Sequence, residues 1–279
     1  MSGRALVVRV APADRDRIGA WLVAQTGQTV AEQSDGALYA CVESEAQAAA
    51  LADALRAGPA QADIEILPIP TTDWSTAWRE GLAPRRFGRL LVAPSWHTSA
   101  SDAAASTSAR VLLDPEMAFG SGEHGSTRTA LMLLERFLVP GAKVLDLGSG
   151  SGILAIAAAA LGASSAIGIE SDADAIPVAE RNAERNGVRD RVRFLEGDAA
   201  MLAALAGPAD LILSNILRTV NVTLLPAIVA ALAPEGVAIF AGMEMAEAEL
   251  FRAELERAGF AQLAQTLDAG WWGVAVRRA

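Results

Sequence analysis

An apolar run that ends in an acid, three glycines at alternate positions, and then an almost unbroken run of Ala, Ile and Leu leave a chain few options. That is the segment Val144-Leu145-Asp146-Leu147-Gly148-Ser149-Gly150-Ser151-Gly152, followed by Ile153 to Leu161. The order reads as a buried strand, a tight loop and a helix. Glycine lets the loop turn sharply and brings backbone N–H groups close to a ligand. The N-terminus of the following helix favours a carboxylate or phosphate.

The dinucleotide fingerprint G-x-G-x-x-G does not fit, because Ile153 stands where its third glycine belongs. The spacing here is G-x-G-x-G, and Asp146 sits two residues before the first glycine. The segment resembles the first motif of the class I methyltransferases that use S-adenosylmethionine. An ordinary glycine-rich β–α turn is the plainer alternative. Ala166-Ile167-Gly168-Ile169-Glu170 then reads as a second strand ending in an acid about twenty residues on, where a carboxylate can accept both hydroxyls of a ribose. Ser171 and Asp172 are candidate caps of the next helix. The resemblance implies that Asp146, Gly148, Gly150, Gly152 and Glu170 bind the cofactor.

Length and composition limit the rest. At 279 residues the chain suits two domains, and with 52% hydrophobic and 20% charged residues it can bury full cores. A net charge of −10 without a basic block argues against direct nucleic-acid binding and suits a basic protein partner. Cys41 is the only cysteine, which excludes disulfides within one chain. With His97 and His124 the only histidines, no metal is expected. No signal-peptide layout opens the chain, and Ile153 to Leu161 is too short to span a bilayer, so a cytoplasmic protein with no membrane contact is expected.

The first 70 residues alternate as strand (Ala5–Val10), helix (Ala13–Gln25), two strands around the turn Asp35-Gly36, helix (Ser44–Ala57) and strand (Ile64–Leu67). That β-α-β-β-α-β order predicts a small ferredoxin-like α+β domain without catalytic chemistry, read as a substrate-recognition domain. Residues 71–100 form a linker carrying Trp74, Trp78 and Trp96, with an amphipathic helix around Trp78 and a strand over Arg85–Val92. A Ser/Ala-rich loop follows to Ser108. The remainder, 101–279, is the catalytic domain.

Before the glycine loop lies a second one, Ala118-Phe119-Gly120-Ser121-Gly122-Glu123-His124-Gly125-Ser126-Thr127, running into a helix that Ser126 or Thr127 can cap. So many polar groups are costly to bury unless something binds there. With Asp114-Pro115 upstream, this stretch resembles the F-G-T-G-x-H-x-T-T segment of the ribosomal protein methyltransferases that modify large-subunit protein eleven. Ser121 and Ser126 replace threonines and keep the hydroxyls, while Glu123 and Gly125 depart from the common pattern. The resemblance covers about the last 200 residues by motif and the first 70 by element order. It implies a doubly wound, mostly parallel seven-stranded sheet, S-adenosylmethionine as cofactor, and lysine side-chain or N-terminal amines of a basic ribosomal protein as substrate. Thr127 is then a cofactor contact, and His124 is either a general base or a loop residue bonded to backbone.

Three more strands are read at Val192–Leu195, Asp210–Leu217 and Gly236–Ala241, and a closing pair at Phe260–Thr266 and Trp271–Val276. Asp198, past the end of the first of these, is a candidate for the adenine side. Ser214-Asn215-Ile216-Leu217 keeps the asparagine of the N-P-P-Y motif of related enzymes but not its prolines. The resemblance implies that Asn215 contacts the cofactor or the target amine. Alternatives are the same fold acting on another protein lysine or a small molecule, and a non-catalytic binding module.

Overall fold

A computed structural model describes residues 4–27, 30–32, 36–42, 44–58, 62–68, 82–97, 109–114, 116 and 119–279. The expected turn at Asp35, the helix around Trp78 and the loop 98–108 lie outside the described residues. The chain divides into two compact units, Met1–Ala77 and Trp78–Ala279.

The first unit runs β1 (Arg4–Arg9), α1 (Pro12–Thr26), β2 (Val30–Glu32), β3 (Leu38–Val42), α2 (Glu45–Ala57) and β4 (Asp63–Pro68). Its sheet has the order β2-β3-β1-β4 with every pair antiparallel, the ferredoxin-like arrangement. Helix α1 stops at Gly27, whose φ of 66° lets its N–H close on the Val23 carbonyl. Helix α2 starts at Ser44, whose hydroxyl accepts from the Gln47 N–H. Ile18, Leu22, Leu51 and Leu55 from the helices meet Leu6, Val8, Leu38 and Ala40 of the sheet in a core of their own.

The second unit begins with a small sheet of β5 (Arg85–Phe87), β6 (Leu90–Pro94) and β7 (Ala109–Leu113). The single strand expected over Arg85–Val92 is instead a hairpin. Gly88, at φ 54°, reverses the chain between Phe87 and Leu90. Part of the expected linker is therefore core: Phe87, Leu90 and Val92 pack with Leu131 and Ile153.

Next come α3 (Gly125–Phe137), β8 (Lys143–Leu147), α4 (Ile153–Ala160), β9 (Ser165–Glu170), α5 (Ala175–Arg185) and β10 (Val192–Glu196). Then follow α6 (Ala199–Ala206), β11 (Ala209–Asn215), α7 (Arg218–Ala231), β12 (Leu232–Glu244), α8 (Ala248–Arg257), β13 (Phe260–Asp268) and β14 (Trp271–Arg278). The seven strands β8 to β14 form one sheet, ordered β10-β9-β8-β11-β12-β14-β13, with parallel pairing throughout except for the antiparallel β14 and β13. Both faces are covered. Val144, Leu211, Leu213 and Ile239 pack toward α3 and α4, while Leu145, Ile212, Ala238 and Phe240 pack toward α7 and α8. Burial on both sides is why these strands read as continuous apolar runs.

The structure corrects two caps. Helix α3 begins at Gly125 with His124 at its N-cap, so Ser126 and Thr127 lie in the first turn rather than before it. Asp174, not Ser171 or Asp172, precedes α5. Helices α6 and α7 went unread in the sequence. The first is Ala/Leu-rich with no polar face, and the second carries β-branched residues and an internal Pro226. Among the described residues no helix is long and apolar enough to cross a membrane.

Candidate active site

The strand order reverses between β8 and β11, and a crevice opens at such a switch point beyond the strands' carboxyl ends. A mostly apolar cavity of about 580 Å³ occupies it. The ends of three strands build its walls: Gly148 and Gly150 after β8, Ile169 to Ser171 at β9, and Asn215 to Leu217 at β11. Gly197, Asp198, Gly242, Phe119, His124, Ser126 and Trp271 also line it.

The three glycines of the loop do different work. Gly148 and Gly150 line the cavity at φ 73° and 50°. A Cβ on Gly150 would come within 2.6 Å of the Phe119 carbonyl oxygen, and one on Gly148 within 2.7 Å of Ile216 Cγ2. Gly152 is not among the lining residues. A Cβ there would meet Phe194 Cζ at 2.6 Å, so this glycine serves packing.

Asp146 is also away from the cavity wall. It is fully buried, with Oδ2 accepting from the Ala155 N–H at 3.1 Å in the first turn of α4. Its Oδ1 has no partner among the described residues. Burial raises its pKa to about 7; the Ala155 N–H pulls it down and the Glu170 charge pushes it up.

Glu170 stands at the cavity edge with its carboxylate held by backbone. Oε2 accepts from Gly150 N at 2.8 Å, and Oε1 from Ser171 N at 2.8 Å and Asp172 N at 3.0 Å. Asp198 also lines the cavity and caps α6 through Ala200 N at 2.8 Å. The carboxylates expected to read a ribose and an adenine thus share one cavity.

The second glycine loop is clamped onto the first. Ser151 Oγ donates to the Gly120 carbonyl at 2.6 Å, and Ser151 N to the Phe119 carbonyl at 2.9 Å. From α5, the buried Asn182 donates to Ser151 O at 3.0 Å and to Asp114 O at 3.1 Å. Glu123 turns away to Arg85, whose Nε donates to it at 2.8 Å, and to the Ala83 N–H. Burial raises the Glu123 pKa, but Arg85 and the Ala83 N–H outweigh it and hold the group below the usual carboxylate range.

His124 lines the cavity with Nδ1 at 2.7 Å from Ser126 Oγ. Its ring stands edge-on to Phe119 at 5.5 Å between centroids and tilted against Trp271 at 4.3 Å. Burial, then the charge of Arg128, lowers its pKa and so favours the neutral imidazole.

Asn215 is 8% exposed and lines the cavity, while Thr127 is fully buried behind it. The Asn215 amide donates from Nδ2 to Thr127 Oγ1 at 3.3 Å, and its Oδ1 is buried without a partner among the described residues. Thr127, like Asp146 and Gly152, supports the wall without forming it. Trp271 was missed as a site residue. The signal lay in the pair Trp271-Trp272: on a strand successive side chains point to opposite faces, and Trp272 is 1% exposed in the core.

The family model described as ribosomal protein L11 methyltransferase (PrmA) matches residues 9–279. A ribosomal protein L11 methyltransferase of Pelotomaculum thermopropionicum is 40% identical over 231 residues, covering 82% of this chain and 73% of the relative. One from Thermus thermophilus is 42% identical over 200 residues, covering 71% and 75%. Among solved structures, the ribosomal protein L11 methylase of Lactobacillus delbrueckii subsp. bulgaricus superposes with a TM-score of 0.63 at 30% identity, over 70% of this chain and 98% of that one.

Proposed function

The chain belongs to the ribosomal protein L11 methyltransferase family, and on that footing we propose that it methylates lysine side-chain and N-terminal amines of ribosomal protein L11. It is a class I methyltransferase whose cofactor is S-adenosylmethionine. When bound, this cofactor supplies an electrophilic methyl group on a sulfonium. The residues present fit it. Gly148 and Gly150 line the cavity without side chains, and Glu170 and Asp198 offer carboxylates at adjoining strand ends. In this reading Gly148, Gly150, Glu170 and Asp198 hold the cofactor. Asp146 and Gly152 brace the loop from beneath, and Thr127 acts through Asn215.

The observation that carries the reading is the Asn215 Oδ1, a buried acceptor on the wall of an apolar cavity with no partner among the described residues. An orphaned acceptor costs free energy unless a ligand satisfies it. An attacking amine must be neutral, and the apolar surroundings favour that form of a lysine whose pKa in water is about 10.4. Asn215 Oδ1 accepts one amine N–H and so aims the lone pair at the methyl. In this reading His124 serves packing, its ring standing in the wall between Phe119 and Trp271.

We assign protein recognition to the N-terminal ferredoxin-like domain, residues 1 to about 70, joined through the linker that follows. The net charge of −10 suits a basic ribosomal protein.

The test is to incubate the purified protein with L11 and S-adenosylmethionine and map methyl additions by peptide mass spectrometry. Methylation of L11 amines is expected, with Asn215→Ala about a hundredfold slower because the amine loses its orientation. If the protein binds the cofactor by calorimetry but leaves L11 unmodified, the substrate is wrong. Full-rate transfer by Asn215→Ala would remove the orienting role.

A further inference from the structure

We propose that Asn221 is a positioning residue for methyl transfer, holding the Ser214–Leu217 segment in the conformation that presents Asn215 to the cavity. The inference rests on the reaction proposed above. Asn221 is fully buried at the end of the first turn of α7 and does not line the cavity. An amide at such a place is costly unless its polar atoms find partners, and here they do. Oδ1 accepts from Ser214 Oγ at 2.6 Å. Nδ2 donates to the Ile216 carbonyl at 3.0 Å and to the Ala241 carbonyl at 3.2 Å. The backbone N–H donates to the Leu217 carbonyl at 2.9 Å.

These partners bracket the residue that matters. Ser214 and Ile216 are the two neighbours of Asn215, and Ala241 is its register partner on β12. One side chain therefore ties together the carboxyl ends of two strands beside the switch point. Its orientation is forced, since carbonyls only accept: Nδ2 must face Ile216 and Ala241, which leaves Oδ1 for the Ser214 hydroxyl. The Ile216 peptide has little freedom on its other side, because a Cβ on Gly242 would come within 2.4 Å of its carbonyl oxygen. Ile216 and Leu217 lack the fixed φ that prolines would lend this segment, so the hydrogen bonds from Asn221 supply the constraint.

The near-isosteric Asn221→Leu removes all three side-chain bonds and tests this in two ways. Hydrogen exchange of the amides between Ser214 and Leu217, read by mass spectrometry on the isolated full-length protein, should speed up. With L11 as substrate, kcat should fall by about tenfold or more, while KM for L11 and the calorimetric Kd for S-adenosylmethionine stay within about threefold. Because Asn221 acts through Asn215, adding Asn221→Leu to Asn215→Ala should slow transfer no further. Unchanged exchange in the segment overturns the proposal, and so does an equal loss of kcat in both backgrounds. Should the wild-type protein fail to methylate L11, the substrate reading falls, and the exchange measurement still decides on Asn221. Should Asn221→Leu fail to fold, Asn221→Ser is read the same way; its shorter hydroxyl also cannot reach both carbonyls.

Discussion

Asp146 is an acid held out of reach of water beneath a loop that belongs to the cofactor site. Its pKa of about 7 means that, from about pH 4 to 7, the folded protein holds a proton that the unfolded chain has released. The folded pKa is the raised one, so this stabilisation is complete below the unfolded pKa and is lost as pH climbs through 7. The loss is on the order of 4 kcal/mol at most. Asp146→Asn keeps an acceptor oxygen for the Ala155 N–H and carries no charge at any pH. Its stability relative to wild type should therefore grow from pH 5 to pH 8. His124 runs the other way: its lowered pKa gives stability present above about pH 6.5 and lost below, but equally in both proteins, so it cancels. Urea midpoints at each pH unit measure the difference, and a flat difference would mean that Asp146 is ionised throughout.

Helix α3 shows how elements hold the site and what a sequence can and cannot reveal about them. Arg128, at the end of its first turn, donates from Nε to Asp268 at the end of β13 and from Nη1 to the Glu123 carbonyl. It thereby ties the second glycine loop to the terminal hairpin that carries Trp271. The hydrogen bond from Arg128 holds the Asp268 pKa below the usual range. Arg128→Ala should cost about 2 kcal/mol of stability in urea unfolding, and adding Asp268→Ala should cost little more; strictly additive losses would mean that the pair is not coupled. Local signals made much of this region legible. Gly148 and Gly150 announced a sharp loop, and Glu170 and Asn215 announced strand ends, because turn chemistry and apolar runs are written over a few adjacent residues. Long-range packing was not. Alternate spacing cannot tell that Gly152 meets Phe194 while Gly150 faces the cavity. Nor does a short R-R-F-G-R-L-L-V run disclose that Gly88 folds it into a hairpin. Arg128 and Asp268 lie far apart in the chain, and neither carries a mark of its partner.

At the scale of the whole molecule, the two units have separate cores. The N-terminal core draws on residues between Leu6 and Ile66, and the two cores of the second unit on residues from Phe87 to Val276. Every described residue that lines the cavity belongs to the second unit. The proposed recognition role is motivated by this division: among the described residues none of the first unit lines the cavity, yet that unit occupies about a quarter of the chain. A protein beginning at Trp78 should therefore fold and bind S-adenosylmethionine with an affinity close to that of the full chain. It should methylate intact L11 far more slowly, chiefly through a raised KM, because binding energy supplied away from the reacting centre is lost. Free lysine-containing peptides, too small to engage a recognition unit, should be methylated equally by both forms. Calorimetry and the two substrates together separate the outcomes. If the shortened protein methylates intact L11 as efficiently as the full chain, the N-terminal unit has no part in recognition. If it loses the cofactor as well, the unit supports the catalytic fold instead.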